Sequence, residues 1–498
     1  LNLFMILTLV TPRQGTEHEK NIYDYRYVSR FIFSRAYSGY LLAIPTLAAL
    51  TPPDVEVKVA DENIAPIDFT SPTDLVAISV RTMFAKRAYQ IASRFRERGV
   101  KVVLGGIHPS MLPEEAGQYA DSVVVGEAED IWHELIQDFK NNNLKKVYKA
   151  ASRPDLSECP APDRRFLENN KYLLHIVQTT KGCPFFCEFC SVHAFDGTAI
   201  RHRPIEQVIS DIKETQRDGI YERKRAIFFA DDNIIADRKY AKTLFRELIP
   251  YDISWSCQAS LNVAKDDEIL ELMAKSGCGG VLIGFESISE DNLRQMNKRI
   301  NLTQDFSKAI QKVQSYGILV QGSFIVGHDN DTKETFQRLA DFINRNNLLF
   351  ALVSILTPFP GTGLFHRMEK ESRLLYKDWE KYDSKTVVFR PKHLTPLELK
   401  NGFIHVNREV YSFKSIYKKL RHFWEIDFWK EQNRRNPIKF KYRILFTFRL
   451  TTYLFTWDFE RIKFIFKILP WVFDKRVRIS TIITLMAYND YAYSLKYS

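Results

Sequence analysis

Residues 179–195 read TTKGCPFFCEFCSVHAF, with Cys183, Cys187 and Cys190 in a C-x-x-x-C-x-x-C array. The three thiols fall on one short loop directly after an apolar, strand-like stretch at residues 172–179. Soft ligands this close together suit three irons of a [4Fe–4S] cube and leave the fourth iron open to a small molecule. An open iron implies chemistry rather than passive electron storage. A competing reading is a structural Cys3His zinc site with His193 as fourth ligand, although zinc ligands are usually paired across a longer loop.

Around this loop, strand and helix signals alternate. LLHIVQTT (173–180), AIFFADDN (226–233), ISWSCQASLN (253–262), GVLIGFES (280–287), LVQGSFIVG (319–327) and ALVSILTPF (351–359) read as strands. Between them lie helical segments such as 204–219, 267–277 and 303–317. Six parallel βα units over residues 171–370 predict a partial, TIM-like (β/α)6 barrel whose strand carboxyl ends form the active face. The cysteine loop follows the first of these strands and lands on that face.

Residues 1–150 carry a second α/β set: strands LFMILTLV, VEVKVAD, DLVAISV, VKVVLGG and DSVVVGE, with helices such as AKRAYQIASRFRERG, which ends at Gly99 as a C′ glycine would. Apolar strand runs between amphipathic helices predict a flavodoxin-like, Rossmann-type parallel sheet covered on both faces. Its carboxyl edge would present Arg81, Thr82, Gly105, Gly106, His108, Gly126 and Glu127. Ligands of such sheets bind there, because glycines allow close approach and helix N-termini offer amide donors. Residues 151–170, rich in proline and polar side chains, read as a linker.

Composition sets the remaining bounds. The chain has 498 residues, 45% hydrophobic and 26% charged, enough for several ordinary globular domains. Its cysteines do not form a disulfide framework, and Cys159, Cys257 and Cys278 read as small buried side chains, so a reducing, cytoplasmic setting is expected. No run is long and apolar enough for a membrane span, and residues 1–10 read as a first strand rather than a signal peptide. Residues 411–480 hold 17 Lys and Arg against 6 Asp and Glu, a local balance of +11 that equals the net charge of the whole chain. Four tryptophans, Trp424, Trp429, Trp457 and Trp471, are interleaved with these cations. Residues 371–498 therefore read as a helical, basic-aromatic region, suited either to peripheral contact with an anionic membrane or to packing as a cap on the barrel. Nucleic acid is not expected, since no RNA-binding module accompanies the charge.

The cysteine loop resembles the cluster motif of the radical SAM enzymes, and the resemblance extends over residues 170–370. GGIHPS (105–110) and VVGEAE (124–129) are similar to the cobalamin-binding domain that precedes the barrel in the class that includes hopanoid methylases. The resemblance implies that the unique iron binds S-adenosyl-L-methionine and that Phe189 packs near its adenine. It further implies that Asp231, Asp232 and Asn233 approach the amino group, that Glu286 bonds the ribose or the amine, and that Gly327 and His328 lie at another strand end. The arrangement resembles a lipid-modifying C-methyltransferase: a deoxyadenosyl radical would abstract hydrogen from an unactivated carbon, methylcobalamin would supply the methyl group, and a flavodoxin or ferredoxin would supply electrons. A radical enzyme forming a C–C bond or ring without net methyl transfer, and a non-catalytic cobalamin or iron–sulfur sensor, are the alternatives. The D-x-H-x-x-G loop that brings a histidine to cobalt is absent. His18 is expected to be a solvated loop residue, and His108 to line the cobalamin nucleotide tail.

Overall fold

The computed structural model describes residues 5–13, 39–167, 171–172, 174–215, 226–435, 443–444, 446–448, 459–474 and 476–495. Two six-stranded sheets, parallel throughout, organise it. The first contains β1 (Met5–Thr11), β2 (Val55–Asp61), β3 (Leu75–Ser79), β4 (Lys101–Gly105), β5 (Ser122–Val125) and β6 (Val147–Lys149), in spatial order 2-1-3-4-5-6. Its central strands are apolar on both faces: Leu75, Val76, Ala77 and Ile78 are all buried. One face packs on helix Ala85–Glu97 and the other on helices Ala43–Leu50 and Trp132–Lys140, as a doubly covered parallel sheet requires.

A two-stranded antiparallel hairpin, β8 (Thr180–Lys181) with β9 (Arg201–His202), brackets the cysteine loop. The second sheet contains β7 (Leu174–Val177), β10 (Ala226–Phe229), β11 (Trp255–Ala259), β12 (Cys278–Glu286), β13 (Leu319–Val326) and β14 (Phe350–Ile355). These strands pair in chain order, and β7 is not bonded to β14, so the barrel is open. Buried and partly accessible side chains alternate along β7, β11, β13 and β14. The outward positions sit in the helix-packed core and the others face a hollow interior.

An open sheet leaves unpaired backbone groups on both edge strands, which natural proteins cover. Here a tyrosine hydroxyl does so at each end. Tyr411 Oη accepts from the Ala351 amide and donates to its carbonyl, both at 2.8 Å, on β14. On β7, Tyr40 Oη accepts from the Ile176 amide at 3.2 Å and donates to its carbonyl at 3.4 Å.

The segment 151–167 is tied down along its length rather than loose. Arg164 is buried and forms a bidentate pair with Asp211 through Nε and Nη2 at 2.6 and 2.9 Å, while Nη2 also donates to the Ile176 carbonyl and Nη1 donates to Tyr40. Arg201 and Arg203 hold the Pro154 and Pro160 carbonyls. The linker expected from composition is therefore a strap.

In the C-terminal region, aromatic side chains are used first for packing. Trp429 is buried, Trp424 stacks on Trp471 with centroids 5.7 Å apart, and the Trp424 indole donates to Asp474 at 2.8 Å. Trp457 lies outside the described residues, as does His18. No helix among the described residues is long and apolar enough to cross a membrane.

Candidate functional site

The loop bearing Cys183, Cys187 and Cys190 is fixed from three sides. Gly182 takes φ +95° and a side chain there would collide with the Ala199 carbonyl, so only glycine makes this turn into the loop. The Cys183 amide donates to the Gly197 carbonyl at 3.1 Å, and the Cys190 amide to the Cys187 carbonyl at 3.0 Å. The Glu188 amide donates to Met296, Asn297 donates to the Phe186 carbonyl, and the Leu364 amide donates to the Glu188 carbonyl. The Glu188 carboxylate accepts two bonds from Arg367, at 2.7 and 3.0 Å, and Arg367 also donates to Asp329. Phe189 packs against the barrel core.

All three thiols are free. Burial pushes each of them up, Cys190 to about 12. Thiols so desolvated become thiolates only when a cationic centre binds them. Among the described residues no three His, Cys, Asp or Glu side chains close around a single metal ion. A cube, whose thiolates sit on separate irons, suits the same donors.

Beside the thiols stands an ion pair that sequence spacing did not signal. Lys298 Nζ lies 3.2 Å from Glu286 Oε1, and despite burial the neighbouring Glu286, Cys187 and Cys190 hold its pKa above the ordinary lysine value. Glu286 has φ +63° at a register shift between β12 and β13, a bulge that turns its side chain at the strand end. Asp232 is pushed up to about 7 by burial and by the nearby Asp196 and Asp231 carboxylates. His328 is buried near Glu286, Asp329 and Asp331; burial lowers its pKa, and its Nε2 has no hydrogen-bond partner among the described residues.

Three residues expected at the cofactor make internal hydrogen bonds on this face. Asp231 is fully buried and accepts from the Thr179 and Thr180 amides and hydroxyls, so it clamps the end of β10 to the end of β7. Asn233 Oδ1 accepts from the Ser260 amide and hydroxyl and likewise ties neighbouring strand ends. The Gly327 amide is taken by Asp331 at 2.7 Å, and its φ of +101° allows a close approach to Leu399.

At the edge of the first sheet, Arg81, Gly105, Gly106, Gly126 and Glu127 line a cavity of about 970 Å³. Gly106 has φ +94°, and a Cβ there would stand 3.0 Å from the Val80 backbone. A Cβ on Gly126 would meet nothing within 4 Å, so that edge is bare backbone facing open space. Ser110 accepts from the Gly126 amide and donates to the Gly106 carbonyl, coupling the two glycine turns. Glu127 also ties the first sheet to the β8–β9 hairpin, accepting from Lys181 at 2.8 Å and from Arg201 at 2.7 Å. Thr82 is buried in a 3-10 turn. His108 is fully buried under the sheet, 3.0 Å from the Tyr89 hydroxyl, because helix Ile107–Met111 turns it inward. Neither Thr82 nor His108 lines the cavity.

Residues 177–343 match the model of the Radical SAM superfamily, and residues 362–495 match a domain of unknown function, DUF4070. Bacteriochlorophyllide d C-12(1)-methyltransferase of Chlorobaculum tepidum is 36% identical over 76% of this chain and 84% of its own. The chain belongs to the radical SAM superfamily. It is similar also to hopanoid C-2 methylase of Rhodopseudomonas palustris, at 31% identity over 67% of this chain and 64% of that one. Among solved structures, the cobalamin-dependent S-adenosylmethionine radical enzyme OxsB superposes with a TM-score of 0.62 at 15% identity, covering 100% of this chain and 80% of that one. The methyltransferase TsrM of Kitasatospora setae gives 0.57 at 18%, covering 74% and 76%. At these identities the two structures establish a shared fold. As a radical SAM enzyme, the chain uses a [4Fe–4S] cluster and S-adenosyl-L-methionine.

Proposed function

We propose that this enzyme is a cobalamin-dependent radical SAM C-methyltransferase acting on an unactivated carbon of a small, apolar substrate. One observation carries the reading: a single cavity joins the glycine edge at Gly105, Gly106 and Gly126 to the interior of the barrel whose first loop bears the three cysteines. The 2-1-3-4-5-6 strand order supports a flavodoxin-like cobalamin domain over residues 1–150, since its first five positions follow the flavodoxin order. The bare backbone at Gly126 suits a large cofactor that needs close approach. The named methyltransferases among the relatives support methylation.

Cys183, Cys187 and Cys190 would hold the cluster, with Phe189 beside the adenine; Lys298 and Glu286 would bind the carboxylate and the amine or ribose of S-adenosyl-L-methionine, and Asp232 lies close enough to join them. Arg81, Gly105, Gly106, Gly126 and Glu127 would border the cobalamin. When bound, these groups supply hydrogen abstraction from carbon and a methyl donor. The chain contributes position and dryness: the buried Lys298–Glu286 pair is held by the bulge in β12, and the Lys181–Glu127–Arg201 cluster fixes the first sheet against the barrel. Anaerobic reconstitution with iron, sulfide and cobalamin, then incubation with S-adenosyl-L-methionine, a low-potential one-electron reductant and candidate apolar substrates, followed by mass spectrometry of the products, tests the reading. A substrate gaining CH2 and one deoxyadenosine per turnover are expected. Deoxyadenosine with product of unchanged carbon count would instead favour ring formation, as in the magnesium-protoporphyrin IX monomethyl ester cyclase of Cereibacter sphaeroides, 24% identical over 68% of this chain and 60% of its own. No deoxyadenosine at all would favour a sensor.

Peripheral membrane contact belongs to the same proposal. Phe448, Phe459 and Phe466 are 67, 73 and 60% exposed, and Lys463 and Lys467 share helix Phe459–Ile468 with two of them. Exposed aromatics among cations suit an anionic lipid surface.

A further inference from the structure

The core of a parallel (β/α) barrel is ordinarily filled by bulky branched side chains. This one is hollow, and the sequence shows why. A single row across the sheet, set by strand register, runs Ile176, Phe228, Ser256, Gly280, Leu319. All five line the cavity, together with Leu174, Ala226, Ala230, Ser254, Leu282 and Leu352. At the centre of the row stand serine and glycine where a filled barrel would place valine or leucine, while the flanks are apolar. From Leu174 to Gln178 the wall is roughly 13 Å long at about 3.3 Å per strand residue.

The amino-terminal end of this interior is closed by the C-terminal region. Gln432 donates to the Gly279 and Gly317 carbonyls at 3.1 and 3.0 Å, and Arg478 donates to Gln432 Oε1 at 3.0 Å. Arg478 and Thr481, at the start of helix Ile479–Ser494, line the same cavity beside Gln432. Apart from Gln178, Ser254, Ser256 and Gln321 the strand wall is apolar, and the floor offers the Thr481 hydroxyl and the Arg478 guanidinium, the latter positioned by Gln432.

Resting on the radical SAM reading above, we infer that the C-terminal region forms the recognition floor of the substrate site: an elongated apolar molecule in the barrel interior seats its polar end, a hydroxyl or carboxylate, on Arg478 and Thr481, with Gln432 holding Arg478 in place. The other end then reaches the carboxyl face at Gln178, Ala230, Lys181 and Asp196, the last two flanking the cysteine loop in sequence. The C-terminal region, which matches a domain of unknown function, becomes the part that reads the polar end of the substrate.

The test uses the full-length reconstituted protein and cis-parinaric acid, a linear C18 polyene acid whose fluorescence rises in apolar surroundings. Saturable binding at one per chain is expected, weakened at least tenfold in Ser256→Phe, which fills the middle of the lumen, and in Thr481→Phe, which crowds the floor. Thermal midpoints identify variants that fail to fold. For that case, a diazirine-bearing long-chain fatty acid is photo-crosslinked to the wild-type protein and its adducts are mapped by mass spectrometry. Adducts on peptides containing Ile176, Phe228 or Leu282 support the site. Equal parinarate affinity in folded variants, or adducts confined to peptides outside the lumen, overturns it. Wild-type cleavage of S-adenosyl-L-methionine is measured separately, so that its absence counts against the catalytic reading alone.

Discussion

Lys298 Nζ and Glu286 Oε1 lie 3.2 Å apart beside the Cys187 and Cys190 thiols, with both side chains largely shielded from water. Removing one member of such a pair leaves an uncompensated buried charge, a cost of about 3–5 kcal/mol. Lys298→Met should therefore lower deoxyadenosine formation at least tenfold while iron binding persists, because the cysteines remain. Lys298→Met combined with Glu286→Gln should recover much of the lost thermal stability but not the activity. Recovery of both would show that the pair is only structural.

The thiols give a second expectation. Ala at any one of Cys183, Cys187 and Cys190 should strip the visible absorption of the cluster and abolish cofactor cleavage, and the triple substitution should leave the fold intact, since the loop is held by backbone bonds and by Glu188 to Arg367. Iron and sulfide near four per chain in the triple variant would refute the assignment.

Lys419 predicts a pH effect away from the site. Its amine is buried, donates only to the Val410 carbonyl at 3.1 Å among the bonds described, and is lowered by desolvation to about 7. Folding thus strips a proton from a group that stays charged in the unfolded chain up to its ordinary value of 10.5. The penalty is constant below pH 7 and shrinks as pH rises from 7 toward 10.5, because only the unfolded state then binds the proton. Relative to Lys419→Met, wild-type stability should gain on the order of 1–3 kcal/mol between pH 7 and 9, and the variant should be the more stable at pH 7. Parallel pH profiles from chemical denaturation would count against this.

Lipid attachment is tested by sedimentation with vesicles. Wild type should pellet with anionic vesicles at low salt and not with neutral ones, with release as salt screens the contact. Phe459→Ser with Phe466→Ser should reduce the bound fraction several-fold, since both rings are exposed and carry little packing. Equal, poor pelleting with both vesicle types would leave the C-terminal region as a barrel cap alone.

Much of this was legible in the sequence because periodicity reports burial. Both sheets' long strands fall where apolar runs predict, and the cysteine loop lies after β7. The short β6 and the β8–β9 hairpin escaped, being too brief for a period to show. The direction of a polar side chain at a strand end was the harder matter. Asp231 and Asp232 are neighbours of one residue type, yet the pleat sends one into a hydrogen-bonded clamp and leaves the other beside the cysteine loop. His108 looked like a ligand contact in a glycine-rich turn, and one turn of helix was enough to bury it against Tyr89. Lys298 follows Glu286 by twelve residues in a basic stretch, a spacing with no periodic meaning, and only the bulge in β12 brings them together.

The two tyrosine hydroxyls on Ile176 and Ala351 also bear on how this chain can be cut. Each edge of the barrel depends on a residue from outside it: Tyr40 from the segment before the first sheet's second strand, and Tyr411 from beyond the last barrel strand. A fragment trimmed to the catalytic match at 177–343 would lose β14 and both tyrosines, exposing long apolar strand edges that invite pairing with other copies. Such a piece should accumulate as insoluble aggregate, whereas a chain retaining residues 5–495 keeps β1 within the first sheet and both barrel seams closed; the borders that define the domain in sequence are not borders at which the molecule can be divided.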